Sequence, residues 1–179
     1  MKNLLLVALL LAGAGAVPAS AQRHVQHISS WGAHLGRSEK GSYYELSYTS
    51  MLTNHLALRA SGLRETGTLD GRGEYVGYAG RLLLAPQLFR LGEVAYVHLL
   101  LGAGAGYERT DENGTSELPS NAKQPQRFTY GPQAGAEVDV FLGNRFSLVG
   151  TATKGYLFNN SLIDQWPGFS SVGLRYHFR

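Results

Sequence analysis

The chain has 179 residues, a net charge of +3 and no cysteine. Its length suits one domain. Disulfide staples and a cysteine zinc site are excluded, and scattered basic residues exclude the clustered footprint of a nucleic-acid binder.

The first residues read MKNLLLVALLLAGAGAVPASAQ. One lysine precedes a short apolar run, and Ala19-Ser20-Ala21 follows as a small-residue cleavage pattern. We expect a signal peptide over residues 1–21, cut between Ala21 and Gln22, and a single mature domain over 22–179. After Gln22 no apolar segment is long enough to cross a membrane as a helix. Glycine and aromatic residues are abundant, a composition that suits sheets.

The mature chain alternates with a period of two. Trp31, Ala33 and Leu35 alternate with Gly32 and His34. Tyr44, Leu46 and Tyr48 alternate with Glu45, Ser47 and Thr49. Leu56, Leu58 and Ala60 alternate with Ala57, Arg59 and Ser61. Val76, Tyr78, Leu82 and Leu84 share a face, with Arg81 opposite. Val97, Leu99, Leu101, Ala103, Ala105 and Tyr107 share another, opposed by His98, Gly102, Gly104, Gly106 and Glu108. Phe128 to Val140 alternates throughout, and Pro132 within it suggests a local bulge. Phe146 to Tyr156 is a strand whose faces stay unassigned, because Leu148 and Val149 compete. Val172, Leu174, Tyr176 and Phe178 alternate with Ser171, Gly173, Arg175 and His177.

These runs predict eight strands. Connections at Met51–Asn54, Pro86–Glu93 and Leu142–Arg145 are short or apolar. Those at Arg37–Gly41, Glu65–Gly73, Thr110–Gln126 and Asn159–Trp166 are polar. Such alternation is that of a membrane barrel with short periplasmic turns and longer outer loops.

Within this frame the stretch LLLGAGAGYERTDENG, Leu99 to Gly114, looks at first like a phosphate-binding loop. The dinucleotide fingerprint G-x-G-x-x-G opens a helix. Here Gly102, Gly104 and Gly106 are spaced by two and lead into a polar loop. On a strand they share one face and leave room inside a narrow barrel.

Glu45, Arg59, Arg81, Glu137, Asp139 and Arg175 lie mid-strand, opposite the apolar and aromatic face. An arginine turned to lipid at mid-bilayer costs roughly 2–4 kcal/mol. The six therefore form a balanced interior network of a transmembrane barrel. A soluble sandwich or a ligand-holding soluble barrel would instead turn these charges to water. Aromatics at strand ends suit membrane girdles. The ending LRYHF, through Tyr176 and Phe178, resembles the C-terminal insertion signature of outer-membrane barrels, with Arg179 following as a departure. The expected fold is an all-β, eight-stranded antiparallel up-and-down transmembrane β-barrel in the outer membrane of a Gram-negative bacterium.

Several blocks resemble the conjugative-transposon TraO family of Bacteroidetes, a family of small exported proteins. They are AQR at the mature start, LLLGAGAGYE, FTYGPQAGAEVDVFLGNRFSL and FSSVGLRYHF. Tyr130 to Leu148 is the most specific of them. The region HVQHISSWG lacks the Pro-Gly run that family members often carry near the mature start. The resemblance implies a non-enzymatic envelope component of a conjugative DNA-transfer apparatus, with protein partners there and no catalytic motif to carry over.

Other chemistry competes with this reading. A lipid-modifying barrel enzyme would need a histidine with a serine or carboxylate partner at the outer rim. His27-Ile28-Ser29 is an H-x-S pair, but near the mature N-terminus and hence at the periplasmic end. His34, His98 and His177 are inner-face candidates that interior hydrogen bonding would explain. His24 and His27 are not assigned a metal. Asn113-Gly114-Thr115 and Asn159-Asn160-Ser161 mark exposed loops. Thr110–Gln126 is the candidate contact loop. We expect no catalytic residue, metal, cofactor, small-molecule substrate or direct nucleic-acid contact, and we expect outer-membrane lipid around the barrel.

Overall fold

The computed structural model describes residues 28–69, 73–111, 126–159 and 161–178. They form eight strands: β1 (Ser29–Ser38), β2 (Gly41–Thr53), β3 (Leu56–Leu69), β4 (Gly73–Leu91), β5 (Ala95–Asp111), β6 (Gln126–Phe141), β7 (Phe146–Gly155) and β8 (Gly168–Phe178). Each pairs antiparallel with its neighbours in chain order. The sheet closes where β8 meets β1, with Ser29 opposite Phe178 and Ser38 opposite Phe169. Closure leaves no sheet edge along the wall. The fold is therefore the all-β, eight-stranded antiparallel barrel that the alternation implies.

The alternation sorts side chains between inside and outside. On β1, Ser30 and His34 point inward while Trp31 and Leu35 are 58% and 64% exposed on the outer wall. β7 resolves in the same way. Val149 is fully buried inside beside Ser147 and Thr153, and Leu148 is 42% exposed outside. Its faces are ambiguous in sequence because the barrel places an apolar valine among interior polar groups.

The interior is layered. At the end that holds the β2–β3 turn, Ile28, Met51, Ala57, Leu83, Ala85 and Leu100 form an apolar plug. Tyr96 packs edge-on against Phe141 at 5.6 Å, and His177 stacks on Phe141 at 4.9 Å. Toward the opposite mouth, Tyr43, Leu63 and Phe169 form a second cluster. Charged side chains fill the space between them.

Several connections differ from their sequence expectation. Arg37–Gly41 is a tight turn, since β1 runs to Ser38 and β2 begins at Gly41. Ser38 closes it by accepting from the Gly41 N–H at 2.8 Å. Most of Glu65–Gly73 is strand, because β3 continues to Leu69 and pairs with β4 up to Gly73. Pro86–Glu93 likewise belongs largely to β4, which runs to Leu91 with its register shift between Gln87 and Phe89. Gly92, at φ +62, makes the turn in the left-handed region that glycine tolerates.

No register shift occurs at Pro132, which pairs in step with Ala103. Its carbonyl accepts from Tyr156 N–H just past the last β6–β7 pair, Gln133 with Gly155. Carbonyl and nitrogen of one strand residue point the same way, so the missing N–H falls beyond the β7 ladder. No bulge is needed.

Candidate functional site

The most concentrated chemistry lies in the barrel centre. Glu45, Arg59, Arg81, Glu137, Asp139 and Arg175 come from β2, β3, β4, β6, β6 and β8, and all six are buried. Arg59 donates to Glu45 at 2.9 Å and, by a short bond, to Glu137. Arg175 donates to both oxygens of Glu137 at 2.8 Å and to Asp139 at 2.7 Å. Arg81 lies 3.9 Å from Glu45 and stacks its guanidinium over the Phe169 ring at 4.0 Å. Three cations and three carboxylates compensate one another where an isolated charge would be strongly disfavoured.

The histidines join this network. His34 Nε2 lies 3.0 Å from Ser47 Oγ, and His98 Nδ1 lies 4.0 Å from Glu137. His177 Nε2 lies 2.8 Å from Ser147 Oγ. Both serines are sealed, at 1% and 0% exposure, so neither His–Ser pair meets an approaching ester or phosphate. Among the described residues no group of three or more His, Asp or Glu could hold a metal ion.

The glycine strip faces inward, with Gly102 in register with Leu83 and Gln133. A Cβ on Gly102 would run into the β4 backbone at Leu82 O and Leu83 Cα. One on Gly104 would meet Gln133 Nε2 at 3.1 Å and Arg81 Cγ at 3.4 Å. The strip thus lets β4 approach β5 and lets two long interior side chains cross it.

A second polar knot sits at the outer mouth. Glu65 accepts from Tyr75 at 2.7 Å and, by a short bond, from Ser38. Glu108 accepts from Ser161 Oγ and Leu162 N–H, both at 2.7 Å, and so holds the β7–β8 connection across the opening. A cavity of about 50 Å³ lies beneath that connection, and another of about 20 Å³ lies at the opposite end. In the β1–β2 turn the Glu39 carboxyl is held below its usual range, first by a hydrogen bond from Lys154 at 2.7 Å.

The outer wall carries aromatics at both ends. Trp31 packs on Tyr48 at 5.1 Å, Phe146 on Tyr176 at 5.2 Å and Tyr176 on Phe178 at 6.3 Å. At the opposite end Phe128, Tyr130, Phe158, Tyr156 and Trp166 form a run of rings spaced 4.7 to 6.2 Å. Asn159 follows at φ +71, a conformation asparagine tolerates, and its side chain donates to Phe128 O at 2.7 Å. Two aromatic bands around an apolar wall match a bilayer-spanning barrel.

Sequence reasoning missed interior tyrosines and apolar residues such as Tyr43, Leu63, Leu83 and Leu100. Their signal is a break in strict alternation beside the charged positions. Ala21 and Gln22, His24, His27, Arg179 and the greater part of Thr110–Gln126 lie outside the described residues, as do the Asn113 motif and the centre of the Asn159 motif.

No protein-family model matches the chain, and no curated protein matches it. Solved structures do. A major outer membrane protein from Thermus thermophilus superposes with a TM-score of 0.68 at 14% identity, covering 84% of this chain and 99% of that one. The N-terminal β-barrel domain of Pseudomonas aeruginosa OprF gives 0.64 at 15% identity, over 86% and 98%. Ail, the attachment invasion locus protein of Yersinia pestis, gives 0.56 at 18% identity, over 86% and 100%. At these identities the likeness is one of fold. It joins the sealed interior and the two aromatic bands in identifying a small outer-membrane β-barrel.

Proposed function

We propose that this barrel is a non-enzymatic outer-membrane component of a conjugative DNA-transfer apparatus, holding or stabilising partner proteins there. The observation that carries the reading is the resemblance to the TraO family, concentrated in Tyr130 to Leu148. The interior supports a structural role over a conduit. An apolar plug, the six-residue charge network and the Tyr43–Leu63–Phe169 cluster occupy successive levels of the barrel. A barrel of eight strands is filled by its own side chains and passes no DNA. The buried serines of the two His–Ser pairs support a non-catalytic reading.

The test is mating frequency from a donor with an in-frame deletion of the gene, with and without complementation. A large loss restored by complementation is expected. Unchanged transfer with the deletion confirmed refutes the conjugation role and leaves the barrel assignment standing.

A second reading is a general barrel for envelope integrity or adhesion. It is favoured by the exposed aromatic run that ends at Trp166, which is 57% exposed at the outer rim. Loss of surface adhesion or of detergent resistance in the deletion strain, with mating intact, would select it.

A further inference from the structure

The outer wall over β2–β5 is concave. A groove of about 710 Å³ runs past Trp31, Leu46, Tyr48, Ala60, Gly62 and Gly80. A second concavity shares Leu46, Gly62 and Gly80 and continues upward to Tyr44, Arg64 and Tyr78. The second extends shallowly round the wall as far as Leu148 and Val172, and the two overlap in a furrow at Leu46, Gly62 and Gly80. The two long connections, β5–β6 and β7–β8, lie at the Arg64 end of the barrel, so the furrow points toward the outer leaflet.

Two observations single it out. The first is Arg64. It is exposed on the lipid-facing side, directly in register with Tyr44 on β2 and Tyr78 on β4. The outward residues one step above are Ser42, Thr66 and Val76. No carboxylate stands among these neighbours. A cation at the head of an apolar furrow, between two exposed tyrosines, complements an anionic headgroup at the bilayer surface.

The second is the reason for the small residues. A Cβ on Gly102 collides with the neighbouring strand, and one on Gly36 or Gly135 collides with neighbouring backbone. A Cβ on Gly62 meets nothing within 4 Å, and one on Gly80 meets a single backbone oxygen at 3.9 Å. The chain's own packing does not require glycine at either position. They leave the wall low between Leu46 and Leu82, where a larger side chain would otherwise stand.

We propose that this furrow binds one phosphate-bearing lipid of the outer leaflet, of lipid A chemistry. An acyl chain lies along Gly62 and Gly80, and a phosphate accepts hydrogen bonds from the Arg64 guanidinium, whose fork matches phosphate oxygens. The site is independent of the conjugation role and of any loop contact.

The test uses the full mature protein refolded into nanodiscs containing diphosphoryl lipid A, dephosphorylated lipid A or phosphatidylglycerol. Lipid retained on the barrel is counted by native mass spectrometry. Wild type should retain the diphosphoryl form about tenfold over the dephosphorylated form, as expected for charge-assisted hydrogen bonds. R64Q should abolish that preference, and R90Q, at the far end of β4 and in register with Tyr96, should leave it intact. G62L and G80L, which grow into open space, should fold with normal heat-modifiable migration and lose retention of both lipid A forms. Equal retention by wild type and R64Q overturns the phosphate contact. Retention undiminished in correctly folded G62L and G80L overturns the furrow. Phosphatidylglycerol retained as well as diphosphoryl lipid A overturns the assignment to lipid A. Should a leucine variant fail to fold, R64Q against R90Q decides the proposal.

Discussion

Glu137 is the carboxylate on which the interior network converges, and Glu137→Gln tests the network most directly. The wild-type side chain meets Arg59 and, at 2.8 Å through both oxygens, Arg175, with His98 4.0 Å away. Glutamine keeps the shape but replaces one acceptor oxygen with a donor facing guanidinium donors. The charge of the six central side chains moves from zero to +1. Breaking a buried ion pair by removing one partner costs about 3–5 kcal/mol. Here neither arginine is stranded, since Arg59 keeps Glu45 at 2.9 Å and Arg175 keeps Asp139 at 2.7 Å. The expected loss is therefore at the lower end, about 3 kcal/mol. It can be measured as a shift in urea unfolding of the barrel in lipid vesicles, followed by the fluorescence of Trp31 and Trp166. A double-mutant cycle with Arg175→Gln should return a coupling of about 1–3 kcal/mol. A change within about 0.5 kcal/mol of wild type, the level of an ordinary surface substitution, would refute the reasoning. It would mean that water, rather than the partner charges, solvates the centre.

Gly102→Ala should destabilise by about 1–3 kcal/mol, because its Cβ meets the β4 backbone, whereas Gly62→Ala should stay within about 0.5 kcal/mol; paired unfolding curves check both. The intact barrel reconstituted in a planar bilayer should pass no steady ionic current, since its interior is filled from the Ile28–Leu100 plug to the Phe169 cluster; a reproducible open level would contradict that filling. The detergent-extracted protein should migrate differently before and after boiling and should fractionate with the outer membrane; recovery in the soluble periplasm would contradict the membrane assignment. Glu39 has a depressed folded-state pKa, so its pairing with Lys154 stabilises the fold above the ordinary glutamate range and that contribution fades as pH falls through the depressed value. The unfolding midpoints of wild type and Glu39→Gln should converge on acidification, and a gap that widens would contradict the pairing.

The strand count, the direction of the faces outside β7 and the inward side of the six charges are legible in sequence because a β-strand has a period of two. One face of nearly every segment carries polar or glycine residues, and the other carries apolar or aromatic ones. That pattern is local, so it survives without a partner strand. Closure into a barrel also follows, since eight such strands with charges on the inner face have no better place for an arginine.

Other features depend on register, which is a long-range property. Glu137 can be placed inside from β6 alone. That it meets Arg59 from β3 and Arg175 from β8 requires the whole circuit of pairing. The extension of β3 and β4 through Glu65–Gly73, and of β4 past Pro86, comes from rungs supplied by neighbouring strands, against polar composition and a proline. Val149 is ambiguous because its inward position is set by its pairing with Asp139 and Gly173, not by its own hydropathy. The sequence by itself therefore determined that there are eight strands and, β7 apart, which face the alternating residues at their centres present, because backbone geometry imposes that period on every segment. Tertiary structure decided which charges touch, where strands stop and which glycines leave the wall hollow, because those depend on distances between segments that the chain order does not contain.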